Sequence, residues 1–548
     1  MKSDVETPVV IFGGGPVGLL LALDLASRNI ASTIVEKRHE HQPPSVKCNH
    51  ISSRTMEILR RLGFVKEVRQ AGMPDDYPND VVVRTRATGW ELMRIPIPNR
   101  LERYSSTQGP DTHWATPEPP HRANQIYFDP VLYQQAKLNS LINILFEHEG
   151  LDFEQDSDGV TSRIRNLKSD ELVNLRSQFL IGCEGGRSLV RKQIGAEFRG
   201  DAVIQRVQST YIRAPKLLSM ISGKPAWMSY LYTPERAGNL VAIDGKETWL
   251  VHNYLLEHEK DFDSVNRDYC IRRLLGVDEN FAYEVLGNED WIGRRLVADK
   301  FRDRRVFICG DASHLWVPYA GYGMNAGIAD AMNLSWTLSA FLNGWAPESF
   351  LDNYENERHP ITEQVSRFAM QHAEQARRER TSITPLIEEN SAAGADLRKK
   401  VGEEAYRLHV QQFACAGLNY GYYYDKSNII VYDTEPHPAY TMHDYTPSTV
   451  PGCRLPHVWL ADGASIYDRL GSDYTLLSFT KNVDTSHLMQ CMALHRIPID
   501  VVQIPEDEKP AHYLYDLFVV RSDQHIAWRG NALPEDINFL ARKLSARA

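Results

Sequence analysis

The tightest constraint on this chain is a glycine turn near its start. Residues 9–12 form a short β-type run and lead into Gly13-Gly14-Gly15-Pro16-Val17-Gly18, which has the spacing G-x-G-x-x-G. Residues 19–27 read as a helix and residues 32–35 as a second strand, closed by Glu36 with Lys37 and Arg38 behind it. Strand, turn, helix, strand and acid within about 30 residues describe a βαβ unit that binds a dinucleotide. Gly13 permits the tight turn, Gly15 lets backbone approach a pyrophosphate, and Gly18 lets the helix pack close on the strand. The start of the helix, at Pro16, offers free N–H groups and a partial positive charge to the phosphates. Glu36 is placed to accept hydrogen bonds from two ribose hydroxyls. The motif alone does not choose between NAD and FAD.

Composition removes several classes of function. With 43% hydrophobic and 24% charged residues the chain is an ordinary globular protein. At roughly 150 residues per domain, its 548 residues predict three or four units. A net charge of −10 argues against nucleic acid or an anionic membrane as the main partner. The longest apolar stretch, residues 9–23, is interrupted by Gly13, Gly14, Gly15 and Pro16 and followed by Asp24. It falls short of the roughly 20 unbroken apolar residues of a membrane span. Residues 1–8 carry both charge signs and no small-residue cleavage site, so no signal peptide is expected. Seven scattered cysteines without a CxxC pair read as reduced thiols of a cytoplasmic protein. His50, His252 and His314 have no ligand-like spacing, so no metal is expected.

A second motif lies about 300 residues on. Residues 305–309 read as a strand running into Gly310-Asp311-Ala312-Ser313-His314, followed by Pro318 and then Gly321-Tyr322-Gly323-Met324-Asn325-Ala326-Gly327. An acid at a strand's C-terminal end suits a polyol, whose hydroxyls donate to carboxylate oxygens. Gly321, Gly323 and Gly327 allow backbone to lie against a flat ring. A helix beginning near Asn325 would aim its positive end at that ring.

Gly310-Asp311 with the downstream proline and Gly-x-Gly-Met-Asn resembles the flavin site of class A flavoprotein aromatic hydroxylases, in the phenol-hydroxylase-like branch. Cys183-Glu184-Gly185-Gly186-Arg187-Ser188 resembles a third motif of that family, with Glu184 where Asp is usual. The segment holding Lys47, and Arg122 with Gln125 before a helix at 130–138, are similar to stretches that reach the FAD in relatives. The resemblance covers roughly residues 7–380 and, more loosely, the remainder. It implies an α/β fold: a Rossmann-like FAD domain, an inserted β-sheet substrate domain, and a C-terminal thioredoxin-like α/β domain. The expected boundaries are 1–80, 115–200 and 295–380 for the FAD domain, 81–114 and 201–294 for the substrate domain, 381–432 for a helical connection, and 433–548 for the C-terminal domain. A structural or dimer-contacting role is expected of that last domain, which makes a homodimer a candidate assembly.

The implied chemistry is monooxygenation. NAD(P)H reduces the FAD, O2 forms a flavin hydroperoxide, and an electron-rich phenolic ring attacks its distal oxygen. The alternative is a tailoring oxygenase that hydroxylates, epoxidises or carries out Baeyer–Villiger chemistry on a polycyclic or polyketide-type substrate. By resemblance Pro318 lies at the flavin's reactive edge, and the backbone around Gly323, Met324 and Asn325 at its pyrimidine side. Strand-like runs at 207–213, 226–233 and 248–255 alternate, placing Tyr230 with Tyr232 and His252 with Tyr254. Tyr230 and His252 are the candidates for handling the substrate hydroxyl, with Trp316 and Tyr319 as a pocket roof. The run Arg377-Arg378-Glu379-Arg380 reads as a solvated helix face.

Overall fold

The computed structural model describes residues 5–316, 321–481 and 483–548. The glycine turn sits in an eight-stranded sheet. Its parallel core runs Val306–Ile308, Leu172–Gly182, Val5–Phe12, Ser32–Glu36, Ile142–Phe146. Val9, Val10 and Ile11 are wholly buried, as expected of a parallel strand covered on both faces. The helix Pro16–Ser27 follows directly, and nearly all its residues are buried. The long helix Tyr322–Leu342 packs close to the start of that helix. A Cβ on its Gly327 would fall 2.9 Å from both Val17 and the Gly310 Cα, so only glycine permits this approach. The helix starts at Tyr322, a turn earlier than the expected Asn325, because Gly321 takes the left-handed conformation (φ 63°) that begins it.

The second sheet has nine strands. Along its main path they run His314–Leu315, Trp291–Ala298, Phe198–Arg213, Thr248–Tyr254, Ala237–Ala242, Met228–Tyr232, Val81–Arg84, Glu91–Ile95, and Glu284–Asn288 also pairs with Phe198–Arg213. Segment 81–95 therefore joins the segment after residue 198 in one layer. Strand Ala237–Ala242 was not expected from the sequence. It is buried on both faces and shows no polar alternation. The helix Ala392–Phe413 lies against this sheet, so close that a Cβ on Gly402 would meet the Leu92 carbonyl oxygen at 2.1 Å.

The third sheet is small. Tyr474–Ser478 runs parallel to Ile499–Gln503 and antiparallel to Leu517–Arg521, which pairs with Ile526–Gly530. Helices Ser486–Leu494 and Ile537–Leu544 complete a thioredoxin-like βαβββα unit. Its core is continuous with Trp336, Trp345 and Phe350 of the first unit. Arg521 donates to Glu357 of the helix Asn353–Thr381 at 2.6 and 2.9 Å, both side chains fully buried. All seven cysteines are free, and burial pushes Cys453 up to about 12, so that thiol is unreactive.

Candidate active site

A cavity of about 1290 Å³ lies between the C-terminal ends of the first sheet's strands and one face of the second sheet. Ligands of open α/β sheets bind at such strand ends. Two helix N-termini reach it. Gly15 caps Pro16–Ser27 and Gly321 caps Tyr322–Leu342, and neither end has a side-chain cap. Their N–H groups and dipoles are left for a ligand, and an anionic one is favoured.

The glycines test whether a nucleotide fits. A Cβ on Gly13 (φ 103°) would lie 2.5 Å from the Cys183 carbonyl oxygen, and one on Gly18 only 2.1 Å from that of Gly13. The fold itself requires glycine at these two positions, and Gly13 also borders the cavity. A Cβ on Gly15 or Gly323 would meet no protein atom within 4 Å. Both residues line the cavity, so their missing side chains leave room for something other than protein. One comes from each of the two motifs. The walls therefore suit an elongated phosphate-bearing group such as FAD.

The acids divide by environment. Glu36 is buried. It accepts from the amide N–H of Gly14 (2.7 Å) and of Arg38 (2.8 Å) and from the Arg38 guanidinium. Burial opposes its charge, but Arg38 and these amides outweigh burial and hold the carboxyl below its usual range. Asp311 opens onto the cavity; its depth raises its pKa, with His314 and Lys47 opposing. Glu184 accepts from the Val190 amide at 2.8 Å, and burial pushes its pKa up despite the helix amides it faces.

Pro16, Lys37, Arg38, Lys47 and Gln125 all border the cavity, as do Gly321 and Met324. Gly310 and Asn325 stand just behind it. Asn325 accepts from the Ser52 amide (2.9 Å) and Thr55 hydroxyl (2.8 Å) and donates to the His50 carbonyl, tying the helix start to residues 50–55. Arg122 is also one layer back: its guanidinium lies 3.6 Å from Asp111 and stacks on Trp227 and Phe413, which do line the cavity. Pro318 and Tyr319 lie outside the described residues.

On the second sheet, Tyr230 and His252 both face the cavity. Tyr230 stacks on His409 (4.2 Å between rings) and its hydroxyl donates to Gln412 at 3.3 Å. His252 meets Trp291 edge-on, and burial lowers its pKa to about 4, so it is neutral at pH 7. Its Nδ1 is buried without a partner. Trp316 lines the cavity and stacks on His314 at 4.8 Å.

The charged run 377–380 is not simply a solvated face. Arg377 and Arg380 border the cavity, and Glu379 turns inward to accept from the Tyr232 hydroxyl at 3.2 Å. The helix Asn353–Thr381 keeps a buried side into its last turns, where His372, Ala373 and Ala376 are buried. Gln412 and Phe413, from the connecting segment, complete the wall. No sequence motif marks them; the contacts are made only by tertiary folding. Among the described residues no group of side chains could hold a metal, and no helix is long and apolar enough to cross a membrane.

Comparison with known proteins agrees with this geometry. The family described as "FAD binding domain" matches residues 6–369, and "Aromatic-ring hydroxylase, C-terminal" matches residues 448–546. The FAD-dependent monooxygenase apdD of Emericella nidulans is 30% identical over 563 residues, covering 96% of this chain and 88% of that one. Phenol 2-monooxygenase of a Pseudomonas species is 28% identical over 574 residues, covering 97% and 91%. The structure of the rebeccamycin biosynthetic enzyme RebC with reduced flavin superposes with a TM-score of 0.90 at 30% identity, covering 100% of both chains. Two motifs some 300 residues apart meeting at one cavity, and matches spanning nearly the whole chain, place this protein in the FAD binding domain family with an aromatic-ring hydroxylase C-terminal domain: it is an FAD-dependent monooxygenase.

Proposed function

We propose that the enzyme uses NAD(P)H and O2 to hydroxylate a phenolic aromatic substrate lying between the glycine-rich wall and the second sheet. The observation that carries this reading is the joint exposure of Gly15 and Gly323 to the cavity whose opposite wall holds Tyr230 and His252. The flavin segments of this reading are 1–80, 115–200 and 295–380, and the substrate segments 81–114 and 201–294; every strand of the first sheet falls in the flavin segments, which supports the division, while the second sheet takes in His314–Leu315 and the strands Phe198–Arg213 and Trp291–Ala298 that cross the boundaries. The connection 381–432 and the C-terminal unit 433–548 complete it. Homodimer formation through the C-terminal unit and a cytoplasmic setting, which seven free thiols fit, belong to the same proposal.

Gly13, Gly15 and Pro16 would receive the pyrophosphate, Glu36 the ribose, and Asp311 the polyol. Lys37, Arg38, Lys47, Gln125 and Glu184 would border the cofactor, with Gly310 and Asn325 holding the second stretch in shape. Gly321, Gly323 and Met324 would meet the ring, and Pro318 its reactive edge. Bound FAD supplies the redox chemistry, electron transfer from NAD(P)H and delivery of one oxygen atom from O2. Neutral His252 accepts a hydrogen bond from the substrate hydroxyl, and Tyr230 orients that hydroxyl. The apolar walls exclude water from the reacting centre.

A polycyclic or polyketide-type substrate is the second reading, favoured by the likeness of this chain over 97% of its length to the tetracenomycin A2 monooxygenase-dioxygenase of Streptomyces glaucescens, 28% identical. The cavity of about 1290 Å³ takes the cofactor as well as the substrate, so its volume alone does not choose between the readings. A panel of phenols, from single-ring to fused-ring, tests both. Stimulated NAD(P)H consumption with a product one oxygen heavier is the expected result, and no stimulation by any phenol would overturn the reading.

A further inference from the structure

The sheet face turned to the cavity is organised in rows. Tyr230, Asn239, His252 and Ser209 stand opposite one another on four adjacent strands, and Met228, Val241, Leu250 and Tyr211 form the next row. All eight line the cavity. The first row is polar and the second largely apolar, so an aromatic body laid on the second brings its substituents against the first. Asn239 is only 9% exposed, and its Oδ1 is buried without a hydrogen-bond partner.

One row further along stands Tyr254, and the Arg380 guanidinium lies 4.6 Å over its ring. From Leu250 to Tyr254 is roughly 13 Å at about 3.3 Å per residue. Here the wall passes to the helix Asn353–Thr381, which presents Ala373, Arg377 and Arg380 to the cavity. The neighbouring Arg378 turns away and pairs with Glu374 at 2.9 Å. On the cavity side Glu289 is neutralised by Lys47, and Glu379 points to Tyr232 instead. This end of the cavity is therefore positive, in a chain whose net charge is negative.

We propose that Arg377 and Arg380 form an anion subsite, and that the substrate is an aromatic carboxylate of at least two fused rings whose acid group extends past the polar row to these two side chains. Arginine suits this role because its planar fork pairs with carboxylates and stacks on aromatic faces, as Arg380 does on Tyr254. The inference rests on the aromatic-substrate reading above and narrows it.

The test uses the FAD-loaded enzyme with two shape-matched probes, 6-hydroxy-2-naphthoate and its uncharged methyl ester. Binding is followed by quenching of tryptophan fluorescence, since Trp227 and Trp291 line the cavity. The acid is expected to bind about tenfold more tightly than the ester, a preference that shrinks with added salt. The double variant Arg377→Gln, Arg380→Gln should lose that preference by weakening the acid alone. Equal binding of acid and ester by the unaltered enzyme overturns the anion subsite and leaves the hydroxylase reading standing. A preference that survives the double substitution does the same. If the double variant instead raises KM for NADPH while leaving acid binding unchanged, the arginines serve the dinucleotide phosphate and the inference fails. Failure of both probes to bind overturns the fused-ring carboxylate inference and leaves the hydroxylase reading to the phenol panel.

Discussion

At the residue scale, the glycine turn was legible because its requirement is on the backbone. Gly13 holds a φ of 103° with the Cys183 carbonyl against it, and this need shows in a single sequence. The position of Arg122 was not legible, because an arginine beside an aromatic wall looks no different in sequence from one that reaches a ligand. Two expectations belong at this scale. His252→Ala is expected to lower kcat on a phenolic substrate by about tenfold, the worth of one lost hydrogen bond to the reacting hydroxyl. Tyr230→Phe is expected to cost less; steady-state kinetics that leave both variants unchanged would contradict the assigned pocket. Glu379 supplies a pH dependence. Burial raises its pKa to about 7, against the Tyr232 hydroxyl that favours its charge. A raised folded value means stability present below the ordinary glutamate range, near 4.5, and lost as pH rises through about 7. Glu379→Gln should therefore gain thermal stability over the parent at about pH 8 and show little gain at about pH 4, read by scanning calorimetry.

At the element scale, strands with a strong apolar or alternating pattern were readable, among them Ser32–Glu36 and Leu517–Arg521. Ala237–Ala242 was not, since a strand enclosed on both faces and opened by Ala-Gly carries no period-two signal. The inward half of residues 377–380 was missed for the opposite reason. Its charges are real, but the packing of one helix turn decides which of them see solvent. The join between the helix Asn353–Thr381 and the C-terminal sheet rests on Arg521 and Glu357, which also accepts from Asn333 (2.7 Å) and Ser427 (2.5 Å). Arg521→Met leaves that carboxylate buried and unneutralised, at a cost of about 3–5 kcal/mol. Denaturant unfolding should show this loss, and the double variant Arg521→Met, Glu357→Leu should recover much of it. Equal stability of Arg521→Met and the parent would mean that the pair contributes nothing to the join.

At the scale of the whole molecule, motif spacing marked the nucleotide site, and the family resemblance those motifs carry implied the three structural units. The cavity's second wall could not be read in this way. It is assembled from strands near residues 209, 230, 240, 252 and 291 and from the helices Asn353–Thr381 and Ala392–Phe413, and such long-range pairing leaves no local trace. What the sequence carried was the pair of stretches that converge, Gly13–Gly18 near the start and Gly310–Asn325 beyond the midpoint. Their convergence on one FAD is the central claim, and direct titration of the purified apoprotein with FAD is its most direct test. Visible absorbance and flavin fluorescence should give one FAD per chain. Gly15→Val in the first stretch and Asp311→Ala in the second should each weaken that one site by about tenfold or more, with the fold retained by circular dichroism. A protein that takes up no FAD, or that binds it equally well with either stretch altered, would contradict the account.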